Sequence, residues 1–86
     1  MEPYSLRFSP TTSDFFKSLE LFQRLPLVDL FDDIKVGRIP EEDYGEVSPS
    51  GELTQVLLVK EFAITYRIDE EAKVFYVTGI SLADTI

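Results

Sequence analysis

With 86 residues, the chain is long enough for one domain, spanning 1–86, and too short for two. It contains no cysteine and no histidine, which excludes disulfide bonds, the usual zinc ligands and nucleophilic catalysis by a Cys–His or Ser–His pair. Sixteen Asp and Glu against eight Lys and Arg give a net charge of −8, which opposes binding to nucleic acid.

Targeting and membrane signals are not found in the sequence. No apolar run approaches the roughly 20 residues that a membrane-spanning helix needs. The first ten residues lack a basic segment followed by an apolar one, so we expect no secretory signal and predict a cytoplasmic protein. No cofactor and no metal site is predicted, and a general base would have to be Asp, Glu, Lys or Tyr.

The first predicted element is a β-strand over residues 3–9. Tyr4, Leu6 and Phe8 alternate there with polar residues, which is typical of a half-buried strand. Pro10 is expected to end it.

An amphipathic helix is predicted next. Its candidate N-cap residues are Thr11, Thr12 and Ser13. Asp14 is predicted to lie in the first turn, where a negative charge interacts favourably with the helix dipole. The apolar residues of this helix recur at helical spacing and are expected to enter the core: Phe15, Phe16, Leu19 and Phe22.

Pro26 is expected to end that helix and to begin a second one, since Pro is well tolerated at the first helical position. The second helix is predicted over residues 26–36, with Gly37 as its stop. Its inward residues are predicted to be Leu27, Phe31 and Ile34.

Residues 39–59 contain no Lys or Arg, and the part before residue 52 is predicted to be a loop because it is rich in Pro and Gly. The acidic residues of the whole segment are Glu41, Glu42, Asp43, Glu46 and Glu52. They lack the alternating ligand pattern of an EF-hand, so we expect a solvated loop rather than a calcium site.

Three further strands are predicted at residues 52–59, 62–68 and 73–80, joined by a tight turn at Lys60–Glu61 and an acidic turn at residues 69–72. In the strand 62–68, one face is predicted to carry Phe62, Ile64, Tyr66 and Ile68, and the other Ala63, Thr65 and Arg67. In the last strand, Val74, Tyr76 and Ile80 are expected to share one face, and Phe75 and Val77 the other. Because both faces are apolar, this strand is predicted to be the central one.

The element order is therefore β-α-α-β-β-β, which predicts an α+β fold: an antiparallel sheet with two helices packed on one face. The stretches "YSLRFSP" and "LLVKEFAITYRIDEEAKVFYVTGI", with the two helices between them, resemble the RelE/ParE superfamily of bacterial toxin–antitoxin systems. The resemblance covers nearly the whole chain. It implies a toxin–antitoxin or plasmid-stabilisation system and a protein partner, either antitoxin-like or a second copy of the chain.

In the RNA-cleaving members of that superfamily, cationic and phenolic side chains on the open face of the sheet hold the phosphate and assist proton transfer. Laid without gaps on this chain, the corresponding positions fall on Ala63, near Thr54 and Val56, near Ala83, and beyond Ile86. The segment 81–86 has no basic residue and no Tyr. The resemblance therefore implies a member that has lost RNA cleavage.

A few polar and aromatic residues remain as weak candidates. Those for catalysis are Arg67, Lys60 and Tyr66, and those for partner contact are Arg67, Tyr44 and Arg38. Each also has a structural explanation: Arg67 pairs with Glu61, Asp69 or another acid, Lys60 is solvated on its turn, Arg38 neutralises the acidic loop, and Tyr44 packs over the base of that loop.

Three hypotheses stay open. The chain is a RelE/ParE-like domain that binds a protein partner and does not cleave RNA; or it is an active toxin, either a ribosome-dependent mRNA endoribonuclease or a gyrase inhibitor; or it is a small α+β protein of unrelated function.

Overall fold

The computed structural model describes residues 3–47 and 49–83. Two helices and five strands follow one another as β1 (Ser5–Phe8), α1 (Pro10–Ser18), α2 (Leu21–Lys35), β2 (Tyr44–Val47), β3 (Leu53–Val59), β4 (Phe62–Asp69) and β5 (Val74–Leu82). The strands form one sheet in the order β1-β5-β4-β3-β2. The predicted α+β class is confirmed, with one strand more than predicted.

The sheet is mixed rather than antiparallel throughout. β1 runs parallel to β5, whereas β5–β4, β4–β3 and β3–β2 are antiparallel pairs. Both helices and the strands β2, β3 and β4 lie between β1 and β5 in the chain, and such a long connection allows the parallel pairing of β1 with β5. The prediction of an antiparallel sheet was therefore wrong at the β1 edge.

α1 begins earlier than predicted. Ser9 is its N-cap and accepts a hydrogen bond at Oγ from the Thr12 N–H at 3.2 Å, while Pro10 occupies the first turn. All three predicted N-cap residues lie inside the helix, and Asp14 lies beyond its first turn. Ser9 continues the alternation of the strand predicted over residues 3–9, so the sequence pattern did not identify it as the N-cap.

The two helices are separated at Leu19 and Glu20, not at Pro26. Leu19 is buried with an extended backbone, and the Glu20 N–H donates to Gln23 Oε1 at 3.0 Å as α2 begins. Pro26 lies inside α2. The predicted start of the second helix at Pro26 was wrong because Glu20 is the N-cap, and α2 therefore begins five residues before the proline.

This break explains another error. Phe15 packs against the core, but Phe22 is 65% exposed. The chain is not helical between Ser18 and Leu21, so the repeat that aligned Phe22 with Leu19 does not continue across the break. The prediction that Phe22 enters the core was therefore wrong.

The core lies between the helices and one face of the sheet, which we call the covered face. Its buried members are Leu19, Leu27, Phe31, Ile34, Leu57, Phe62, Ile64, Tyr66, Phe75, Val77 and Ile80. The predicted inward residues of α2 and β4 are all among them, except Ile68, which is half-buried against the cluster. Burial of each large apolar side chain contributes about 1.5–3 kcal/mol.

A β-bulge in β5 changes which of its residues face the core. Tyr66 pairs with Val77 and Thr65 with Gly79, so Thr78 is the extra residue. Beyond the bulge the alternation is shifted by one, and Ile80 joins Phe75 and Val77 on the covered face. The prediction that Ile80 shares a face with Tyr76 was wrong for this reason.

β2 lies within the segment predicted to be a loop. It pairs with β3, and Asp43 just before it fixes the pairing: its N–H donates to Val56 O at 2.9 Å, and its carboxylate accepts from the Leu58 N–H at 2.6 Å. β2 also makes β4, rather than β5, the central strand of the five.

The start of β1 is tied to the turn between β4 and β5. Tyr4 donates a hydrogen bond to Glu70 Oε2 at 2.8 Å, and Lys73 Nζ lies 5.3 Å from the centre of the Tyr4 ring and 3.5 Å from the same carboxylate. The hydrogen bond to Glu70 raises the pKa of the Tyr4 hydroxyl, and desolvation adds to this effect.

Candidate functional site on the open face of the sheet

The face of the sheet turned away from the helices, the open face, contains a concavity of 510 Å³. Its floor comes from three adjacent strands: Val56 pairs with Thr65, and Leu58 pairs with Ala63, which pairs in turn with Ser81. Val56 is only 1% exposed although it does not belong to the helix-side core. We call this space the open-face concavity.

The rim of the open-face concavity is mostly apolar. Tyr44, Leu58 and Leu82 are all exposed there. Glu46 of β2 and Lys60 also line it. One positive and one negative side chain leave the lining without a net charge.

The structure brings together the positions that the family resemblance marked as lacking catalytic residues. Ala63, Val56 and Ala83 all line the open-face concavity, and Thr54 lies on the same face two residues before Val56 in β3. The last such position, beyond Ile86, lies outside the described residues.

Lys60 is the one catalytic candidate that lines the open-face concavity. It is the first of two residues in the turn between Val59 and Phe62 and has a φ of 55°. A positive φ at this place is typical of a type II′ turn and favours glycine. Among the described lining residues, Lys60 is also the single Lys or Arg.

Tyr66 lies on the other side of the sheet. It is 1% exposed on the covered face and stacks on Phe75 with ring centres 4.6 Å apart. Desolvation raises the pKa of its hydroxyl, and the charges of Glu42 and Asp43 raise it further. The structure therefore does not place Tyr66 together with Lys60 or Arg67.

Arg67 lies on the open face but outside the concavity. Its guanidinium is 3.7 Å from Glu52 Oε2, and both side chains are exposed. The predicted pairing with a nearby acid is thus present, with Glu52 as that acid rather than Glu61 or Asp69. An exposed pair of this kind contributes about 0–1 kcal/mol.

A second arginine on the open face, Arg7, was missed at the sequence level. The strand register places Arg7 beside Tyr76 and Tyr76 beside Arg67, so the three form a row across β1, β5 and β4. The alternation of β1 already puts Arg7 on the face opposite to Leu6 and Phe8. Only the register between β1 and β5 shows that Arg7 is aligned with Tyr76. Tyr76 and Arg67 also border a depression whose acidic side chains are Asp69, Glu70 and Glu71.

Arg38 and Tyr44 were predicted to contact a partner. Arg38 lies 3.6 Å from Asp33 Oδ1, and its N–H donates to Asp33 O at 2.8 Å. It therefore interacts with the end of α2 rather than with the acidic loop. Tyr44 begins β2 and is exposed on the rim of the open-face concavity, which leaves its ring accessible.

Charge is divided unevenly along the chain. Residues 39–71 hold nine Asp and Glu against two basic residues, Lys60 and Arg67. Residues 3–38 hold five acidic and five basic residues. The net charge of −8 therefore arises almost wholly from the segment that builds β2, β3, β4 and their turns.

Two further findings concern residues 3–47 and 49–83. No group of three or more acidic side chains in these ranges is arranged to hold a metal ion. Neither helix there has the length and apolar character required to cross a membrane.

Comparison with known proteins finds similar structures but no similar sequences. No family model and no curated protein sequence matches the chain. An archaeal RelE–RelB complex from Pyrococcus horikoshii OT3 contains a chain that aligns with a TM-score of 0.74 at 11% identity, over 93% of this chain and 94% of that one.

The toxin–antitoxin complex RelBE2 from Mycobacterium tuberculosis contains a chain that aligns with a TM-score of 0.69 at 21% identity, over 96% of this chain and 94% of that one. At such identities the likeness is one of fold. The chain has the fold of the RelE toxin superfamily, which confirms the fold predicted from the sequence.

Proposed function

We propose that this chain is a RelE-fold protein that does not cleave RNA and that acts by binding a protein partner at the open face of its sheet. One observation carries the proposal: the open-face concavity is lined by apolar and hydroxyl side chains, with alanine at positions 63 and 83. Lys60 is the single basic residue among its described lining.

Cleavage of a phosphodiester needs cations or other donors where negative charge develops in the transition state. Within the described lining of the concavity, Lys60 is the single cation that could meet that charge, because Arg7 and Arg67 lie outside it. The surrounding segment, with nine acidic and two basic residues, also repels the RNA backbone. Both the chemistry and the approach of an RNA substrate are therefore disfavoured.

The same surface suits a protein. Tyr44, Leu58 and Leu82 form an exposed apolar rim around a buried floor at Val56, an arrangement that accepts an apolar side chain from a peptide. The two similar solved structures are complexes of toxins with antitoxins. We therefore propose an antitoxin-like partner that meets the chain in the cytoplasm.

The absence of RNA cleavage is tested by inducing the chain alone in a bacterial culture. We expect growth to continue and mRNA 5′ ends to match those of cells that express Lys60→Ala. Growth arrest with new mRNA ends that disappear in Lys60→Ala would contradict the proposal. Arrest without new mRNA ends, but with gyrase trapped on DNA, would favour the gyrase inhibitor instead.

Binding at the open face is tested by co-purification. A tagged chain isolated from its native cells should retain an antitoxin-like protein, and Leu58→Glu should reduce that retention at least tenfold. Leu53→Glu, at an exposed position of β3 outside the lining of the concavity, is the matched control and should retain the partner. A partner that stays bound to Leu58→Glu, or a chain that purifies without any partner, would count against the proposal.

A further inference from the structure

α2 shows apolar side chains to solvent as well as to the sheet. Leu27, Phe31 and Ile34 enter the core, which is what one amphipathic helix needs. A second set in its first two turns stays exposed at 72, 65, 53 and 38%, and we call it the α2 patch: Leu21, Phe22, Leu25 and Val28. Contiguous apolar side chains on a surface mark an interaction site, whereas scattered ones do not.

A groove continues the α2 patch. It has a volume of 470 Å³ and lies between α1, α2 and β1, with Phe8, Phe16, Val28 and Phe31 among its walls. The rings of Phe8 and Phe16 have their centres 5.2 and 5.9 Å from that of Phe31. This helical groove is therefore a built apolar depression, wide enough for aliphatic side chains of another helix.

The charges around these two features are complementary. Glu20 lies next to the α2 patch, whereas Lys17 and Lys35 line the helical groove together with Asp32. A surface that carries both a protruding patch and a matching groove, with opposite charges beside them, is self-complementary. A second copy of the same chain meets that description.

The geometry of α2 sets the register of such a pair. Val28 is the middle residue of the helix Leu21–Lys35. If two copies of α2 lie antiparallel about a two-fold axis at Val28, Glu20 of each copy lies beside Lys35 of the other. Arg24 donates to Lys17 O of its own chain at 2.8 Å, and Asp29 of each copy lies next to the axis. The attractive charge pairs are therefore those of Glu20 with Lys35 at the two ends of the contact.

The distribution of net charge favours the same partner. The segment 3–38, which holds both helices and β1, has equal numbers of acidic and basic residues. The excess of acid belongs to β2, β3, β4 and their turns. Two copies that meet through α2 therefore keep most of their acidic residues away from the contact, which limits the long-range repulsion between two chains of charge −8.

We propose that α2 is a homodimer interface, in which two copies pair antiparallel about Val28 and Leu21 and Leu25 of each enter the helical groove of the other. This inference concerns the opposite side of the sheet from the open-face concavity and does not depend on the proposed function. The pairing places one α2 patch against each groove, so both copies are covered by one closed contact.

The mass in solution tests the pairing directly. Sedimentation equilibrium of the purified full chain should give a mass that rises with concentration to twice the 9.8 kDa of one copy. This mass should be reached below about 1 mM, because a dissociation constant above that value would indicate only non-specific association. Leu25→Glu should raise the dissociation constant about 100-fold, since it buries a charge in each half of the contact. Leu53→Glu, on β3, is an exposed control and should leave the dimer intact.

Charge reversal tests the register. Glu20→Lys and Lys35→Glu should each weaken the homodimer about tenfold, because each creates two like-charge contacts. An equimolar mixture of the two variants should associate again, since Lys at position 20 of one copy then meets Glu at position 35 of the other. Circular dichroism of each variant alone checks that the helices are retained.

Three results would overturn the inference: a wild-type chain that stays monomeric over the whole concentration range, a dimer that Leu25→Glu leaves intact, or two charge variants that fail to associate when mixed. A monomeric chain whose α2 patch is covered by a different protein falls under the first of these. Loss of partner binding in Leu58→Glu alone would concern the proposed function and not the dimer.

Discussion

The two sides of the sheet differ in charge and in what they leave exposed. Residues 3–38, which build the helical side and also place Arg7 on the open face, hold five acidic and five basic residues, and α2 shows a row of apolar side chains to solvent. The open side draws on residues 39–71, which hold nine acidic and two basic residues, and contains a small concavity with an apolar floor. The net charge of −8 therefore belongs mostly to one segment of the chain, residues 39–71.

This difference separates two kinds of association. In the proposed function, the acidic segment 39–71 repels nucleic acid at long range and the apolar concavity binds a protein at short range. In the proposed dimer, the apolar side chains of α2 contact an identical chain. The predictions below compare substitutions on the covered and open faces and at the strand ends.

The largest difference is expected between a covered and an exposed side chain of the same sheet. Ile64→Ala should lower the free energy of unfolding by about 2–5 kcal/mol, because Ile64 is fully buried beneath the helices. Leu53→Ala, at an exposed position of β3, should change it by less than about 0.5 kcal/mol. Urea unfolding measures both; equal losses would mean that the covered face is not the core.

A smaller effect is expected at the bulge in β5. A Cβ on Gly79 would lie 2.7 Å from Thr65 Oγ1, so Gly79→Ala should destabilise the fold by about 1–3 kcal/mol. Thr65→Ala removes that oxygen, and the double variant should recover most of the loss. A double-mutant cycle in urea measures the coupling, and strictly additive losses would show that the two residues do not touch.

The turn at Lys60 should respond in the opposite direction. Its φ of 55° is unfavourable for any side chain, so Lys60→Gly should stabilise the fold by about 0.5–1 kcal/mol. Lys60→Ala removes the same charge without relieving the backbone and is the matched control. If both variants had the same melting temperature, charge rather than backbone conformation would dominate at this turn.

The smallest effect is expected from Tyr4, and it depends on pH. The hydrogen bond to Glu70 raises the folded-state pKa of Tyr4 above its ordinary value of 10.0, so the stabilisation is complete below pH 10.0 and is lost as the pH rises through the folded-state pKa. Tyr4→Phe should therefore be less stable than the wild type near neutral pH, and the difference should vanish in strong alkali. A difference that is constant across this range would exclude the titration of Tyr4 as its cause.

The elements that the sequence predicted correctly are those with a regular apolar pattern. Alternation over Phe62, Ile64 and Tyr66 predicted β4 and its covered face, and the spacing of Leu27, Phe31 and Ile34 gave the inner face of α2. For both elements the local pattern and the tertiary packing agree. Ala63 and the position near Ala83 follow from the family resemblance instead, and both residues line the open-face concavity.

The errors arise where a contact distant in sequence decides the local structure. β2 contains Gly45 and has no apolar alternation, so its pairing with β3 alone makes it a strand. The bulge at Thr78 depends on the register between β4 and β5, which no single segment specifies. The row formed by Arg7, Tyr76 and Arg67 needs two registers at once, and no sequence window contains it.

The parallel pairing of β1 with β5 has a consequence for the order of assembly during translation. β5 lies between β1 and β4, and it is the last of the seven elements to leave the ribosome. Until then β1 has no neighbour in the sheet, and a contact between elements so far apart along the chain forms slowly. The covered face lacks Phe75, Val77 and Ile80 during this interval, so the growing chain exposes apolar core surface beside the α2 patch.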